Sequence, residues 1–298
     1  MLIRQLEYLV ALAHEEHFAR AAERCGVSQP TLSTGLRQLE EDLGTAIVER
    51  GNRFRGFTPQ GAIVLDWARR IVASERSMRQ DLDRSRGMLA GRLRIGVIPS
   101  VNAVVPELTT TFVRAHPLVR IDETEMTSHE VLRDIASFDL DAGITYVDDE
   151  RLEHVRTLPI AIERYVLVLP SGGALPERET ATWAEAASLP LCLLRPDMQN
   201  RRICDAAFAE AGATPNVHVE TYSVMAELCY VQAGLASILP ATFAPWLGVL
   251  SGVRALPLVA PEVEHAIGLV VAERDPIPAL VAAFWEHVRE RVAHASVP

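Results

Sequence analysis

Residues Phe18 to Gly44, FARAAERCGVSQPTLSTGLRQLEEDLG, constrain this chain more than any other stretch. Ala19, Ala22 and Cys25 give a first helix one face small enough for close packing. Gly26 supplies the left-handed backbone that ends a helix without steric cost. Ser28 is a good N-cap, and Pro30 falls in the first turn of a second helix, where its missing N–H is no loss. Leu32, Leu36, Leu39 and Leu43 then recur at helical spacing as one expected buried stripe, closed by Gly44. That leaves Ser28, Gln29, Pro30, Thr31, Ser33, Thr34 and Arg37 facing elsewhere. A short helix with such an outer set suits the base edges of a DNA major groove. A plain helical hairpin with a polar face has the same spacing, so the segment alone leaves both readings open.

Charge decides little until it is divided along the chain. The 298 residues carry 29 basic and 39 acidic side chains, a net charge of −10, and every basic residue is arginine. Residues 1–90 hold 13 arginines against 12 acids, and residues 91–298 hold 16 against 27, so +1 and −11 make up the total. The acidity belongs to the larger part, and a nucleic-acid reader at the amino end is not excluded. A weakly charged reader depends on base contacts and on pairing of copies more than on bulk attraction.

Three segments follow: 1–58, 59–90 and 91–298. In the first, Leu2, Leu6, Leu9 and Ala13 form a helix able to pack beneath the hairpin, and the Gly- and Arg-rich loop Arg50–Thr58 suits a wing. Arg50, Arg53 and Arg55 there are candidates for phosphate or minor-groove contact, with an internal ion pair as the other reading of Arg50. Thr58-Pro59 starts a long helix running to about Met88. Its apolar positions Leu65, Ala68, Ile71, Val72, Met78 and Leu82 make a narrow seam, expected to pair with a second copy; packing on its own domain is the alternative.

From residue 91 onward strands alternate with helices, which indicates an α/β domain with largely parallel sheets. Two such cycles suggest two lobes, the first about 91–161 with 267–298 and the second about 162–266. A cleft between two lobes is a usual ligand site. Polar residues at its expected strand ends are the candidates: Ser100, Asn102, Thr127, Ser128 and Thr145 from one lobe, Arg195, Gln199, Asn200, Tyr222 and Ser223 from the other. Hydroxyls beside helix N-termini favour an anion, so a small carboxylate or inorganic anion is the expected effector. Helix capping explains any one of them equally well.

Catalysis is not expected. The chain has no GxSxG elbow, P-loop, HExxH motif or dinucleotide fingerprint. Cys25, Cys192, Cys204 and Cys229 form no CxxC pair and no metal-site spacing, and inert reduced thiols are expected rather than a redox sensor. Neither a metal nor another cofactor is expected. The start MLIRQLEYLV lacks the build of a signal peptide, and Leu235–Leu250 is interrupted by Pro240 and Pro245, so a cytoplasmic protein with no membrane partner is expected.

In order and spacing, Phe18, Ala21, Ala22, Val27, Ser28, Gln29, Pro30, Leu32, Ser33, Leu36, Leu39, Glu40, Leu43 and Gly44 resemble the LysR-type transcriptional regulators. Arg50, Thr58, Pro59 and Gly61 continue the likeness, with Phe57 where leucine is usual, as do LRIGVIPS and GLASILP (Gly234–Pro240). The resemblance spans essentially the whole chain. It implies a winged helix-turn-helix head, a dimerising linker helix and a two-lobed, periplasmic-binding-protein-like effector domain. It also implies a homotetramer, a dimer of dimers, that binds double-stranded promoter DNA and alters its bending when a small molecule binds. A ligand-binding module whose head serves only anchoring or autorepression is the other reading. Gly35 departs from good helix chemistry, since glycine costs about 1 kcal/mol against alanine. Close approach to the DNA backbone and simple tolerance are both open explanations.

Overall fold

The computed structural model describes every residue except 50–53, 86–88, 149–151, 153, 173–174, 177, 249 and 296–298. It divides into two compact units, Met1–Met88 and Leu89–Pro298. The first holds α1 (Ile3–Glu15), α2 (Phe18–Arg24), α3 (Gln29–Leu43) and α4 (Pro59–Ser85). In the second, β1 (Gly91–Val97), α5 (Val105–Ala115), β2 (Val119–Glu125), α6 (Ser128–Ala136), β3 (Ala142–Tyr146) and β4 (Val155–Glu163) come first. Then follow β5 (Tyr165–Pro170), β6 (Ala181–Thr182), α7 (Trp183–Ala187), β7 (Leu191–Leu194), α8 (Gln199–Glu210) and β8 (Val217–Thr221). The remainder is α9 (Val224–Gln232), β9 (Ser237–Pro240), α10 (Ala244–Leu247), β10 (Val253–Val259), β11 (His265–Ala272) and α11 (Ala279–Ala295).

The head is built around leucines. Leu6, Leu9 and Leu12 of α1 pack with Leu32, Leu36 and Leu39 of α3 and with Ala21 and Ala22 of α2, all buried. Gly26 takes φ 65° at the turn, as the sequence demands, and Gly44 ends α3 with φ 66°. Three members of the expected packing faces lie outside the core: Leu43 is 41% exposed, Leu2 66% exposed, and Ala19 is exposed too. Glu40 takes the buried place beyond Leu39, and its Oε1 accepts from the amides of Ile47 (2.8 Å) and Val48 (3.2 Å). These are the amides that lead into the wing, where Val48 bridges antiparallel to Phe57. Thr58 accepts from the Gly61 amide at 2.9 Å and donates to the Ala46 carbonyl at 2.6 Å, so one hydroxyl caps α4 and ties it to the wing. Gly61 is required there, because a Cβ would collide with the Ile47 carbonyl.

Gly35 has a third explanation that the sequence did not offer. An added Cβ would stand 2.7 Å from the ring of Tyr8, so the glycine faces α1 and makes room for an aromatic in the core. The α4 seam is also divided differently from the expectation. Leu65 and Ala68 are buried against the helices of their own head. Ile63, Trp67, Met78 and Leu82 are more than half exposed and, at helical pitch, share an arc of about 100°.

The second unit has two lobes, each with its own sheet. The first sheet runs β2-β1-β3-β11-β4 and the second β6-β10-β5-β9, with β7 and β8 paired beside it. The sheets are mixed rather than largely parallel: β1 pairs parallel with β2 and β3, whereas β11 pairs antiparallel with β3 and β4. The strands that carry the chain between lobes impose this. β4 leaves the first sheet at Glu163 and β5 opens the second at Tyr165, while β11 returns from His265. The crossings therefore lie at 163–165 and 259–265, against the expected 161/162 and 266/267. β4 and β10 are not legible as strands because each contains a proline, Pro159 and Pro257. Pro159 is accommodated on the edge strand of its sheet, opposite Gly268 at a register shift.

Candidate functional site

The outer face of α3 is laid out as the spacing requires. Ser28, Gln29, Pro30, Thr31, Thr34 and Arg37 are exposed and Ser33 is half-buried. Ser28 is consumed in capping, accepting from the Thr31 amide at 3.3 Å and sharing a 2.8 Å hydroxyl contact with Thr31. Gln29, Pro30, Thr34 and Arg37, equally exposed, take no part in that cap. Arg55 is exposed beside the wing bridge. Arg50 and Arg53 lie outside the described residues.

The second unit brings half of the expected effector residues together. Ser100, Thr127, Ser128, Gln199 and Asn200 line a cavity of about 10 Å³ with Ile98, Pro99, Tyr146, Leu194 and Met198. That is room for one water-sized group. The first lobe contributes the Pro99–Val101 turn and the start of α6, and the second contributes the start of α8. Thr127 and Met198 also line a wider mouth of about 300 Å³, with Glu125, Met126, Glu130, Asp197 and Tyr222.

The remaining expected residues serve elsewhere. Asn102 donates to Glu125 at 2.6 Å. Ser223 caps α9 through the Ala226 amide. Thr145 is buried without lining the cavity. Arg195 lies over the Tyr222 ring at 4.9 Å and 3.7 Å from Asp197, outside both linings. Thr127 and Glu130 complete a capping box at the start of α6, so the Thr127 hydroxyl is already engaged. The Ser128 hydroxyl, 5% exposed, has no hydrogen-bond partner.

Behind the cavity lies a cluster the sequence did not reveal. Glu163, at the end of β4, is fully buried. Its Oε1 accepts from Tyr146 of β3 at 2.6 Å and from Tyr165 of β5 at 2.7 Å, and Asn200 of α8 approaches at 3.4 Å. One carboxyl oxygen thus collects donors from both lobes. Oε2 is buried without a partner. Burial raises the pKa of Glu163, with the hydrogen bonds around it acting in the opposite direction. A second buried acid, Glu227 on α9, accepts from Ser237 at 3.1 Å and is pushed well up by burial. Missing β4 hid the first cluster; a glutamate just before an aromatic strand (ERYVLVLP) was the one available signal.

The four thiols differ in their surroundings: Cys229 is exposed and Cys25 half-buried. Cys192 and Cys204 are buried. Burial, with Glu227 close by, raises the Cys192 thiol to about 12 and lifts Cys204 well above its ordinary range. No group of three or more His, Cys, Asp or Glu side chains that could hold a metal occurs among the described residues.

A helix-turn-helix head whose second helix presents hydrogen-bonding groups, followed by a two-lobed unit with a pocket at the junction, defines a ligand-responsive DNA-binding regulator. Comparison with known proteins gives the family. Residues 3–62 match the bacterial regulatory helix-turn-helix protein, lysR family, and residues 86–293 match the LysR substrate binding domain. The chain belongs to the LysR family of DNA-binding transcriptional regulators. A curated relative, the hydrogen peroxide-inducible genes activator of Escherichia coli O6:H1, is 32% identical over 298 residues, covering 98% of this chain and 96% of that one. Full-length OxyR of Pseudomonas aeruginosa, with a cysteine-to-aspartate substitution, superposes with a TM-score of 0.76 at 26% identity, over 97% of this chain and 95% of that one. Full-length CbnR in complex with its target DNA gives a TM-score of 0.64 at 25% identity, over 97% and 99%. No helix among the described residues is long and apolar enough to cross a membrane.

Proposed function

We propose that this regulator reads promoter DNA through Gln29, Pro30, Thr34 and Arg37 of α3 and answers to a small molecule seated where the two lobes meet. The observation that carries the effector reading is the cavity lined from both lobes and holding the unpartnered Ser128 hydroxyl. A ligand there touches both lobes at once, so its binding free energy depends on their separation. That dependence is what a shift between DNA-bound forms requires.

The exposed arc Ile63, Trp67 and Met78 on α4 supports pairing of two copies, and two such pairs make the dimer of dimers. A promoter-binding regulator of this kind works where the chromosome is, in the cytoplasm. Of the effector classes, a carboxylate or inorganic anion has the N-terminus of α6 in its favour. Against it stand Glu125, Glu130 and Asp197 around the mouth, and no arginine lines either opening among the described residues. A thiol-based response to hydrogen peroxide, the inducer named for the Escherichia coli relative, is not the reading we favour. The thiolate is the reactive form, and burial raises the pKa of both buried thiols, which disfavours it.

DNase I footprinting of full-length protein on the DNA upstream of its own gene, with and without candidate ligands, tests the proposal. A protected region that shortens or shifts with ligand supports it. Protection that no ligand alters, together with ligand binding, favours a head used only for anchoring or autorepression.

A further inference from the structure

The hydroxyls behind the effector cavity are all turned one way. The short contact from Tyr146 commits its proton to Glu163. The Ser100 hydroxyl lies 3.4 Å from the Tyr146 oxygen, and with the Tyr146 proton already placed, Ser100 is the donor in that long contact. Asn200 likewise donates its Nδ2 to Tyr146 at 3.4 Å and to Glu163. What Ser100 and Asn200 leave for the cavity are the Ser100 lone pairs and the Asn200 Oδ1, which otherwise receives only the Cys204 thiol at 3.9 Å, while the Gln199 amide in the same lining can donate or accept. The unpartnered Ser128 hydroxyl sits in the same lining and can serve either way.

We infer that Glu163, acting through Tyr146 and Ser100, makes this cavity an acceptor site that selects an effector with an uncharged or cationic hydrogen-bond donor and rejects carboxylates. The inference rests on the reading that the effector enters this cavity. It holds for either ionisation state of Glu163: ionised, it accepts both phenol protons and repels an anion; protonated on Oε2, it still accepts both on Oε1. The carboxylates of Glu125, Glu130 and Asp197 at the mouth act in the same direction. A carboxylate oxygen reaching into the cavity would face oxygen lone pairs in a water-poor space, where an unpaired charge is strongly disfavoured. Glu163 is a positioning residue: it sets the proton direction of groups that touch the ligand and does not line the cavity itself.

Acetamide and acetate have nearly the same shape and differ in donor capacity and charge, and methylammonium supplies a cationic donor. Each is titrated into full-length protein carrying carbon-13 methionine methyls, at matched ionic strength. Met198, which lines both cavity and mouth, is the reporter, assigned by substitution. Acetamide or methylammonium is expected to shift Met198 at concentrations at least about tenfold below any shift by acetate, the ratio that one mismatched buried hydrogen bond gives. Which of the two shifts it separates an uncharged from a cationic donor. Tyr146→Phe breaks the relay and frees the Ser100 proton, so acetate should gain on acetamide. Glu163→Gln keeps an accepting Oε1, so acetamide should still bind ahead of acetate. Acetate binding as well as acetamide in wild type, or an unchanged ratio in Tyr146→Phe, overturns the inference while leaving the pocket standing. A Met198 signal that no probe moves removes the pocket reading, and the inference with it.

Discussion

The Tyr146 hydroxyl meets Oε1 of Glu163 at 2.6 Å in a fully buried pocket at the point where the chain leaves its first lobe. Tyr165 reaches the same oxygen from the second lobe at 2.7 Å. A buried carboxyl that is satisfied on one oxygen and bare on the other is expensive to ionise, and its proton uptake is therefore linked to folding.

That linkage gives a pH dependence with a definite sign. Glu163 and Glu227 both have folded pKa values raised above the ordinary 4.5. Their contribution is whole below the unfolded value and is lost as pH rises through the folded one. Urea unfolding followed by fluorescence between about pH 5 and pH 8 should show falling stability, and Glu163→Gln and Glu227→Gln should each flatten the slope. Glu185, held down to about 2 by Arg178 and by its capping bonds to Thr182, acts oppositely and only under acid conditions. A slope unchanged in both glutamine variants would contradict the assignment.

Gly35→Ala separates helix propensity from packing. Propensity alone predicts a gain of about 1 kcal/mol. The Tyr8 ring, 2.7 Å from the new methyl, predicts overpacking worth about 1–3 kcal/mol. A net loss of head stability is expected in denaturant melts, relieved by Tyr8→Leu in the double variant. Stabilisation by the alanine would show that the ring yields freely.

Thiol reactivity should follow exposure. With a chromogenic disulfide in native conditions, the exposed Cys229 is expected to react first, and Cys192 and Cys204 only after unfolding. Rapid native labelling of Cys204 would return a redox role to consideration.

The apolar arc of α4 predicts a dimer contact. Trp67→Arg or Met78→Arg should lower the sedimentation mass of full-length protein at micromolar concentration. Leu65→Ala, on the face buried against the head, should lower head stability instead, by about 2–5 kcal/mol. Unchanged mass in both arginine variants would remove α4 from the assembly.

What was legible from sequence was whatever local chemistry determines. Ser28, Gly26 and Gly44 announce the ends of α2 and α3, and Leu32, Leu36 and Leu39 declare the buried face of α3. Ser128 and Asn200 were found because helix starts carry readable caps. Glu163, Tyr146 and Tyr165 stayed hidden because their meeting depends on β4, β3 and β5 crossing between lobes, which no local period encodes. Pro159 disguised the strand that delivers Glu163. Gly35 read as a flaw until Tyr8 appeared opposite it, and the α4 seam could not be divided between its own head and a partner without knowing where α1 lies.

The central claim is that the outer face of α3 reads DNA bases. Its most direct measurement is titration of full-length protein, across a range of salt, against the DNA upstream of its gene and against a scrambled duplex of equal length. Gln29→Ala should lose about 1–3 kcal/mol on the specific site and little on the scrambled one, whereas Arg55→Ala should weaken both and lower the salt slope by about 1. If Gln29→Ala left binding to both duplexes unchanged, α3 would not be the reading helix.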